Sequence, residues 1–88
     1  MISFTQHNLG KLEDLFDSLG FKVRYEKGSF RTGACLIQHT KVIMVNKFSN
    51  LEVRILSLIS LLQEMLIEDG LLDDKQKEFY KIIKKIER

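Results

Sequence analysis

The sequence predicts an α+β domain with elements in the order α-β-β-β-α-α. Three observations support this prediction. Apolar residues recur every three or four positions near both ends of the chain, alternate with charged residues from Phe21 to Glu26, and form short runs at 34–38 and 42–46. A mixture of these two periods is typical of a sheet packed by helices. We therefore expect a single domain over residues 1–88, with a three-stranded antiparallel sheet packed by helices.

The first helix is predicted from Leu9, Leu12 and Leu19, which share one face at helical spacing. Thr5 is the expected N-cap because its hydroxyl can accept a hydrogen bond from the first turn. Gly20 follows the last apolar position and is a typical stop signal. One face of this helix should therefore pack on the core.

The strands are predicted from period and composition. The alternation at 21–26 is typical of a strand with one face in water. The segment 27–32 is predicted to be a turn in which Gly28 and Gly33 supply positive φ angles. The apolar segments Ala34–Gln38 and Val42–Asn46 should form an antiparallel hairpin through a tight connection. The continuous apolar run of the last strand suits a strand covered on both faces.

The second helix has two start signals. Ser49 and Glu52 have the spacing of a capping box, and Phe48 and Val53 have the spacing of a hydrophobic staple. The helix should run over residues 50–68, and its polar positions form only a narrow strip. A helix this apolar is buried on more than one side. Because one small sheet and two short helices offer little cover, we expect a homodimer that uses this helix.

A third helix is predicted after Asp73, its expected N-cap, with Phe79, Ile82, Ile83 and Ile86 on one face. Basic residues occupy most of its other positions, up to the end of the chain at residue 88. Positive side chains near a helix C-terminus are favoured by the helix dipole. This basic run is therefore expected to be a solvated face rather than a binding site.

Composition excludes several classes of protein. A content of 44% hydrophobic and 30% charged residues is typical of a globular domain, and no segment approaches the roughly 18 consecutive apolar residues that span a membrane. The start of the chain lacks the basic residues and apolar run of a signal peptide, which favours a cytoplasmic location. One cysteine and two histidines give no disulfide and no zinc-ligand spacing, so we expect no metal and no other cofactor.

The net charge of +2 is unevenly distributed along the chain. Residues 21–54 carry seven basic and two acidic side chains, whereas residues 55–74 carry five acidic side chains and no basic one. Such blocks can form a basic face for an anionic partner. The alternative, which we favour, is that the blocks neutralise one another within the fold or across a dimer.

The segment 24–35 contains charged residues, aromatic residues, two glycines and the only cysteine, and it is therefore the first place to look for a site. Its spacing of two glycines lacks the Lys-Ser or Lys-Thr pair of a phosphate-binding loop, and the segment precedes a strand rather than a helix. No catalytic signature is present, so we predict no catalytic residues. The candidate binding residues are Arg24, Lys27, Phe30, Arg31 and Cys35.

Three functions stay open, and a non-enzymatic binding or protein-interaction module in the cytoplasm is the one we favour. The second is binding of nucleic acid or another anion, since basic groups bind phosphates and exposed aromatic rings stack on bases. Tyr25 and Arg24 alternate, however, and therefore lie on opposite faces of the strand. The third is thiol chemistry at Cys35, which needs a neighbouring base or positive charge. Because Cys35 shares a face with Ile37, we expect it to pack as a small hydrophobic residue.

The segment from Arg24 to Cys35, followed by Lys41-Val-Ile-Met-Val-Asn-Lys47, resembles the core of a family of small uncharacterised bacterial proteins. The resemblance covers about residues 9–62, so the third helix lies outside it. It implies a stand-alone intracellular protein of about this length. It implies no activity, cofactor or catalytic residue.

Overall fold

The computed structural model of this protein describes residues 2–87, apart from the side chain of Asp69. Met1, the first residue of the predicted domain, and Arg88, the last residue of the predicted basic run, lie outside the described residues. The described part confirms the predicted α+β class and the order α-β-β-β-α-α. The elements are α1 (Gln6–Ser18), β1 (Lys22–Glu26), β2 (Gly33–Ile37), β3 (Thr40–Asn46), α2 (Leu51–Glu64), a 3-10 turn (Asp69–Leu71) and α3 (Asp74–Lys85).

The sheet is mixed, and the prediction of a purely antiparallel sheet is wrong. β3 lies in the middle, antiparallel to β2 and parallel to β1, which gives the strand order β1-β3-β2. The predicted β2–β3 hairpin is present, whereas β1 and β2 are not neighbours. The alternation at 21–26 fixes which side chains of β1 share a face, but it carries no information about which strand lies alongside.

The register divides the sheet into a face covered by helices and an open face. Val23 and Tyr25 of β1 lie beside Ile43 and Val45 of β3, and all four belong to the core or pack against it. No residue from the opposite face belongs to the core cluster of the described chain. β3 thus has apolar residues on both faces, as expected. Helices cover one face, and on the other face Val42 is also buried, at 2% exposed, although it lies outside the core cluster. The open face carries Lys22, Arg24, Glu26, Gly33, Cys35, Ile37, Thr40, Val42, Met44 and Asn46.

The starts of α1 and α3 confirm the sequence prediction. The backbone N–H of Asn8 donates to Thr5 Oγ1 at 3.2 Å. Asp73 caps α3 in a reciprocal capping box with Gln76, in which the side-chain oxygen of each residue accepts from the backbone N–H of the other. Gly20 ends α1 with a φ of 88°, a value that favours glycine.

The second helix differs from its prediction at both ends. Its N-cap is Asn50, whose Oδ1 accepts from the N–H of Val53 at 2.9 Å. Ser49 is not the cap, because its hydroxyl donates to the carbonyl of Asn46. The proposed staple does not form, since Phe48 is 72% exposed. The helix ends at Glu64 rather than at residue 68.

The core lies on the covered face of the sheet, with α2 in its centre. α2 contacts α1, α3 and β2, and Ile55, Leu58, Ile59 and Leu62 are fully buried. Most of the apolar surface that suggested a dimer through α2 is therefore used within one chain. Among the described residues, the exposed large apolar side chains are Leu36, Ile37, Phe48, Val53, Leu66, Leu71 and Ile82.

The third helix packs on this core mostly by its predicted face. Phe79, Ile83 and Ile86 are buried, whereas Ile82 is half exposed and Tyr80 is buried in its place. No helix in the described part of the chain is both long and apolar enough to cross a bilayer.

Candidate functional site

Residues 27–32 form a crossover loop that carries the chain from β1 to the opposite edge of the sheet. Asn46, the last residue of β3, anchors this loop as it passes. Its Nδ2 donates to the carbonyl oxygens of Gly28 at 3.0 Å and of Phe30 at 2.6 Å. Its backbone N–H donates to Thr32 Oγ1 at 3.1 Å. One residue thus satisfies three polar groups that have no place in the ladder of the sheet, which fixes the loop.

Glycine at position 28 serves close packing rather than backbone conformation. A Cβ atom at Gly28 would lie 2.9 Å from the ring of Phe30, inside van der Waals contact. The predicted positive φ angles at Gly28 and Gly33 are not present. Among the described non-glycine residues, positive φ angles occur at Gln38 (48°) and His39 (68°), which form the two-residue turn between β2 and β3.

An open groove of about 600 Å³ lies between the crossover loop and α2, and we call it the loop–helix groove. Phe30 and Arg31 line it from the loop, so the structure brings these two predicted site residues together. Ser57 and Ser60 line it from α2, and Asn46 and Ser49 lie between the two sides. The groove offers one aromatic ring, one guanidinium group and several hydroxyl groups. Its remaining lining residues are Thr32, Val53, Leu61 and Glu64.

Two other predicted site residues lie on the open face of the sheet. Arg24 faces away from the helices, and its guanidinium contacts the Glu26 carboxylate at 2.8 Å in an exposed ion pair. Cys35 lies on the same face, opposite Val42 of β3. Lys27 is exposed in the crossover loop. The five candidate residues therefore do not form one site.

The expectation that Cys35 packs as a buried residue is wrong, because its side chain is exposed. It does share a face with Ile37, as the strand period requires, but no helix covers that face. The burial of Cys35 could not be predicted correctly because the sequence does not show which face of a strand the helices cover.

On the covered face, Tyr25 lies in a polar cluster that sequence analysis did not identify. Its hydroxyl donates to Glu13 Oε2 at 2.5 Å, and the guanidinium of Arg54 lies 5.3 Å from the ring centroid. Burial first, and then the Glu13 carboxylate, raise the pKa of Tyr25 well above its ordinary value. Tyr25 is therefore a protonated donor at neutral pH, and it links α1, β1 and α2.

The outer edge of β2 is the most unusual surface of the sheet. Ile37 and Thr40 flank the two-residue turn, and residues in these positions form a hydrogen-bonded pair. Along an antiparallel ladder, hydrogen-bonded pairs alternate with pairs that are not hydrogen-bonded to each other. Ile37 and Cys35 therefore bond to β3, whereas the backbone N–H and C=O groups of Ala34 and Leu36 point away from the sheet. We call this row the β2 edge.

Nothing in the sequence of β2 protects this edge. Natural edge strands usually carry charges, proline or a bulge that prevents pairing with another chain. β2 is Gly-Ala-Cys-Leu-Ile, and Leu36 is 67% exposed. β1, at the opposite edge, carries charges at Lys22, Arg24 and Glu26. The β1 edge of the sheet thus carries charges that oppose pairing with another chain, and the β2 edge does not.

Among the side chains that the structure describes, no three His, Cys, Asp or Glu residues are grouped to hold a metal ion. No protein family, curated protein or solved structure matches this chain. The resemblance of its central segment to small bacterial proteins stays a prediction.

Proposed function

We propose that the protein is a small interaction module, not an enzyme, which binds an extended polypeptide segment along the β2 edge. The observation that carries this proposal is the row of outward backbone groups at Ala34 and Leu36 within an uncharged, exposed edge strand. The proposal includes a cytoplasmic location, for which the exposed free thiol of Cys35 is support, because a reducing compartment preserves such thiols.

An added strand gains backbone hydrogen bonds from the edge and alternating side-chain contacts from its two faces. Side chains on one face of the added strand would lie beside Leu36, on the side where α2 contacts β2. That side continues into the loop–helix groove, because Arg31 and Thr32 directly precede β2. The groove therefore extends the contact surface beyond the edge itself.

A synthetic peptide of residues 31–39, with serine in place of cysteine, is a suitable probe. Titrated into the ¹⁵N-labelled protein, it should shift the amide resonances of Ala34 and Leu36 and protect both amides from hydrogen exchange. The control peptide has proline at the position of Leu36, which removes a backbone donor and should abolish the effect. Shifts confined to other elements, or equal shifts with both peptides, would refute binding at the β2 edge.

Binding of nucleic acid through the basic segment has less support. Lys22 and Arg24 lie on the open face, whereas Phe30 and Arg31 line the groove. Lys41 donates to the carbonyl of Leu19 at 3.1 Å and is engaged there. An electrophoretic shift at low salt that disappears in the Lys27→Ala/Arg31→Ala variant would favour this alternative.

Thiol chemistry at Cys35 also has less support. Its cross-strand neighbour is Val42, which is neither a base nor a positive charge. A reactive cysteine needs such a neighbour to activate its thiol.

A further inference from the structure

Resting on the proposed function, we infer that the segment which occupies the β2 edge is β2 of a second copy of this chain. The two strands would run antiparallel about a two-fold axis beside Cys35. Residues 33–37 of one copy would thus lie opposite residues 37–33 of the other.

The direction of the backbone groups supports this register. In an antiparallel pair, hydrogen-bonded positions need outward groups on both strands. With the axis beside Cys35, Ala34 of each copy meets Leu36 of the other, and both residues point their N–H and C=O groups outward. A shift of the partner strand by two residues leaves only three of the five positions of each strand paired. The centred register therefore makes full use of the edge.

The side chains are complementary in the same register. On the covered side the small Ala34 lies beside the large, exposed Leu36 of the second copy. On the open side Gly33 lies opposite Ile37. In a two-fold contact the same surface of both copies forms the interface, so a charged residue in β2 would lie close to the same charge on the second copy. β2 has no charge, which removes this repulsion.

The assembly also ends at two copies. Pairing of β2 gives a six-stranded sheet in the order β1-β3-β2-β2-β3-β1, and each outer strand is the charged β1. Charged outer strands oppose further pairing, so the contact closes as a dimer rather than extending as a fibre. Five-residue strands give an interface at the low end of the usual size range, which predicts a dissociation constant in the micromolar range.

Cys35 offers a direct test because it would pair with itself at a non-hydrogen-bonded position. The two Cα atoms would be about 4.5 Å apart, within the range of about 4.4 to 6.8 Å that a disulfide needs. Diamide takes two electrons and two protons from the two thiols and becomes a hydrazine as the S–S bond forms. We expect a covalent dimer of the native protein, detected on a non-reducing gel.

The matched control moves the thiol along the strand. In the Cys35→Ser/Ile37→Cys variant the two thiols lie four positions apart in the proposed register, beyond disulfide reach. It should cross-link at least about tenfold more slowly. Equal rates in the two proteins, or equal rates for native and urea-unfolded protein, would overturn the register.

Light scattering from the micromolar to the millimolar range tests the dimer independently of the thiol. The reduced protein should change from monomer to dimer, and Leu36→Lys should stay monomeric while Ile82→Lys, a change at another exposed apolar position, should dimerise as before. A native monomer throughout, or a dimer unaffected by Leu36→Lys, would refute the inference. If the 31–39 peptide still binds at Ala34 and Leu36 in that case, the proposed function stands without self-pairing. If neither the peptide nor a second copy binds, both proposals fail.

Discussion

At the scale of single residues, Asn46 does more for this fold than its place in an apolar strand suggests. Its side chain fixes the crossover loop through Gly28 and Phe30, and its backbone carbonyl accepts the hydroxyl of Ser49 at the start of α2. The loop–helix groove exists because both of its sides are attached to this residue. Sequence analysis treated Asn46 only as the end of a strand, since the two carbonyl groups to which its side chain donates are 16 and 18 residues away.

Replacement of Asn46 by alanine should therefore destabilise the protein strongly. The change removes two hydrogen bonds that the side chain donates to carbonyl groups and one that its Oδ1 accepts from the N–H of Phe48. At about 1 kcal/mol for each bond, we expect a loss of about 3 kcal/mol in the free energy of unfolding, measured by urea denaturation. The control is Asn50→Ala, which removes one helix cap and should cost about 1 kcal/mol. Equal losses would contradict the anchoring role of Asn46.

At the scale of elements, the sequence predicted what is local and missed what is not. Thr5 and Asp73 cap their helices through atoms three residues away, and both were predicted. The start of α2 was predicted one residue early because Ser49 is used by Asn46, a tertiary contact. The parallel pairing of β1 with β3 joins residues 20 positions apart and left no local pattern.

The candidate site shows the same limit of prediction. Phe30 and Arg31 were predicted as site residues and line the groove, yet the hydroxyl groups of Ser57 and Ser60 opposite them went unnoticed. Sequence analysis described the polar strip of α2 only as narrow and predicted no site residue on this helix. The unprotected β2 edge was readable as an uncharged run, but only the strand order shows that it lies at an edge.

The turn between β2 and β3 is the element where a single substitution should most clearly increase the stability of the protein. His39 has a φ of 68°, a conformation that costs a residue with a Cβ atom about 1 kcal/mol and suits glycine. His39→Gly should therefore raise the free energy of unfolding by up to about 1 kcal/mol in urea denaturation. Thr40→Gly, one residue later and inside β3, should lower it. A loss of stability in His39→Gly would show that the histidine side chain has a role of its own.

At the scale of the whole molecule, the protein has two layers, helices and sheet, and Tyr25 joins them. Its hydroxyl reaches Glu13 of α1, while Arg54 of α2 lies over its ring. This polar contact is placed at the border of an otherwise apolar core, and its protonation state therefore affects the stability of the entire domain.

Alkaline conditions should weaken the domain through this contact. An ordinary tyrosine ionises near pH 10, and the pKa of Tyr25 is higher in the folded protein because of burial and the Glu13 carboxylate. The folded state thus holds a proton that the unfolded state releases above about pH 10, so stability falls as the pH rises further. The Tyr80→Phe variant, which keeps only Tyr25, should show no rise in absorbance at 295 nm until it unfolds. Ionisation near pH 10 in the folded variant would contradict the raised pKa.

The parallel pairing of β1 with β3 also dictates an order of assembly. β2 and β3 are joined by a two-residue turn, so their ladder can close as soon as both have been synthesised. β1 is made first but has no partner in the sheet until Asn46 has left the ribosome. Until then its charged residues, Lys22, Arg24 and Glu26, disfavour pairing of this strand with another chain. The oldest strand of the chain thus cannot join the sheet before the central strand has been made.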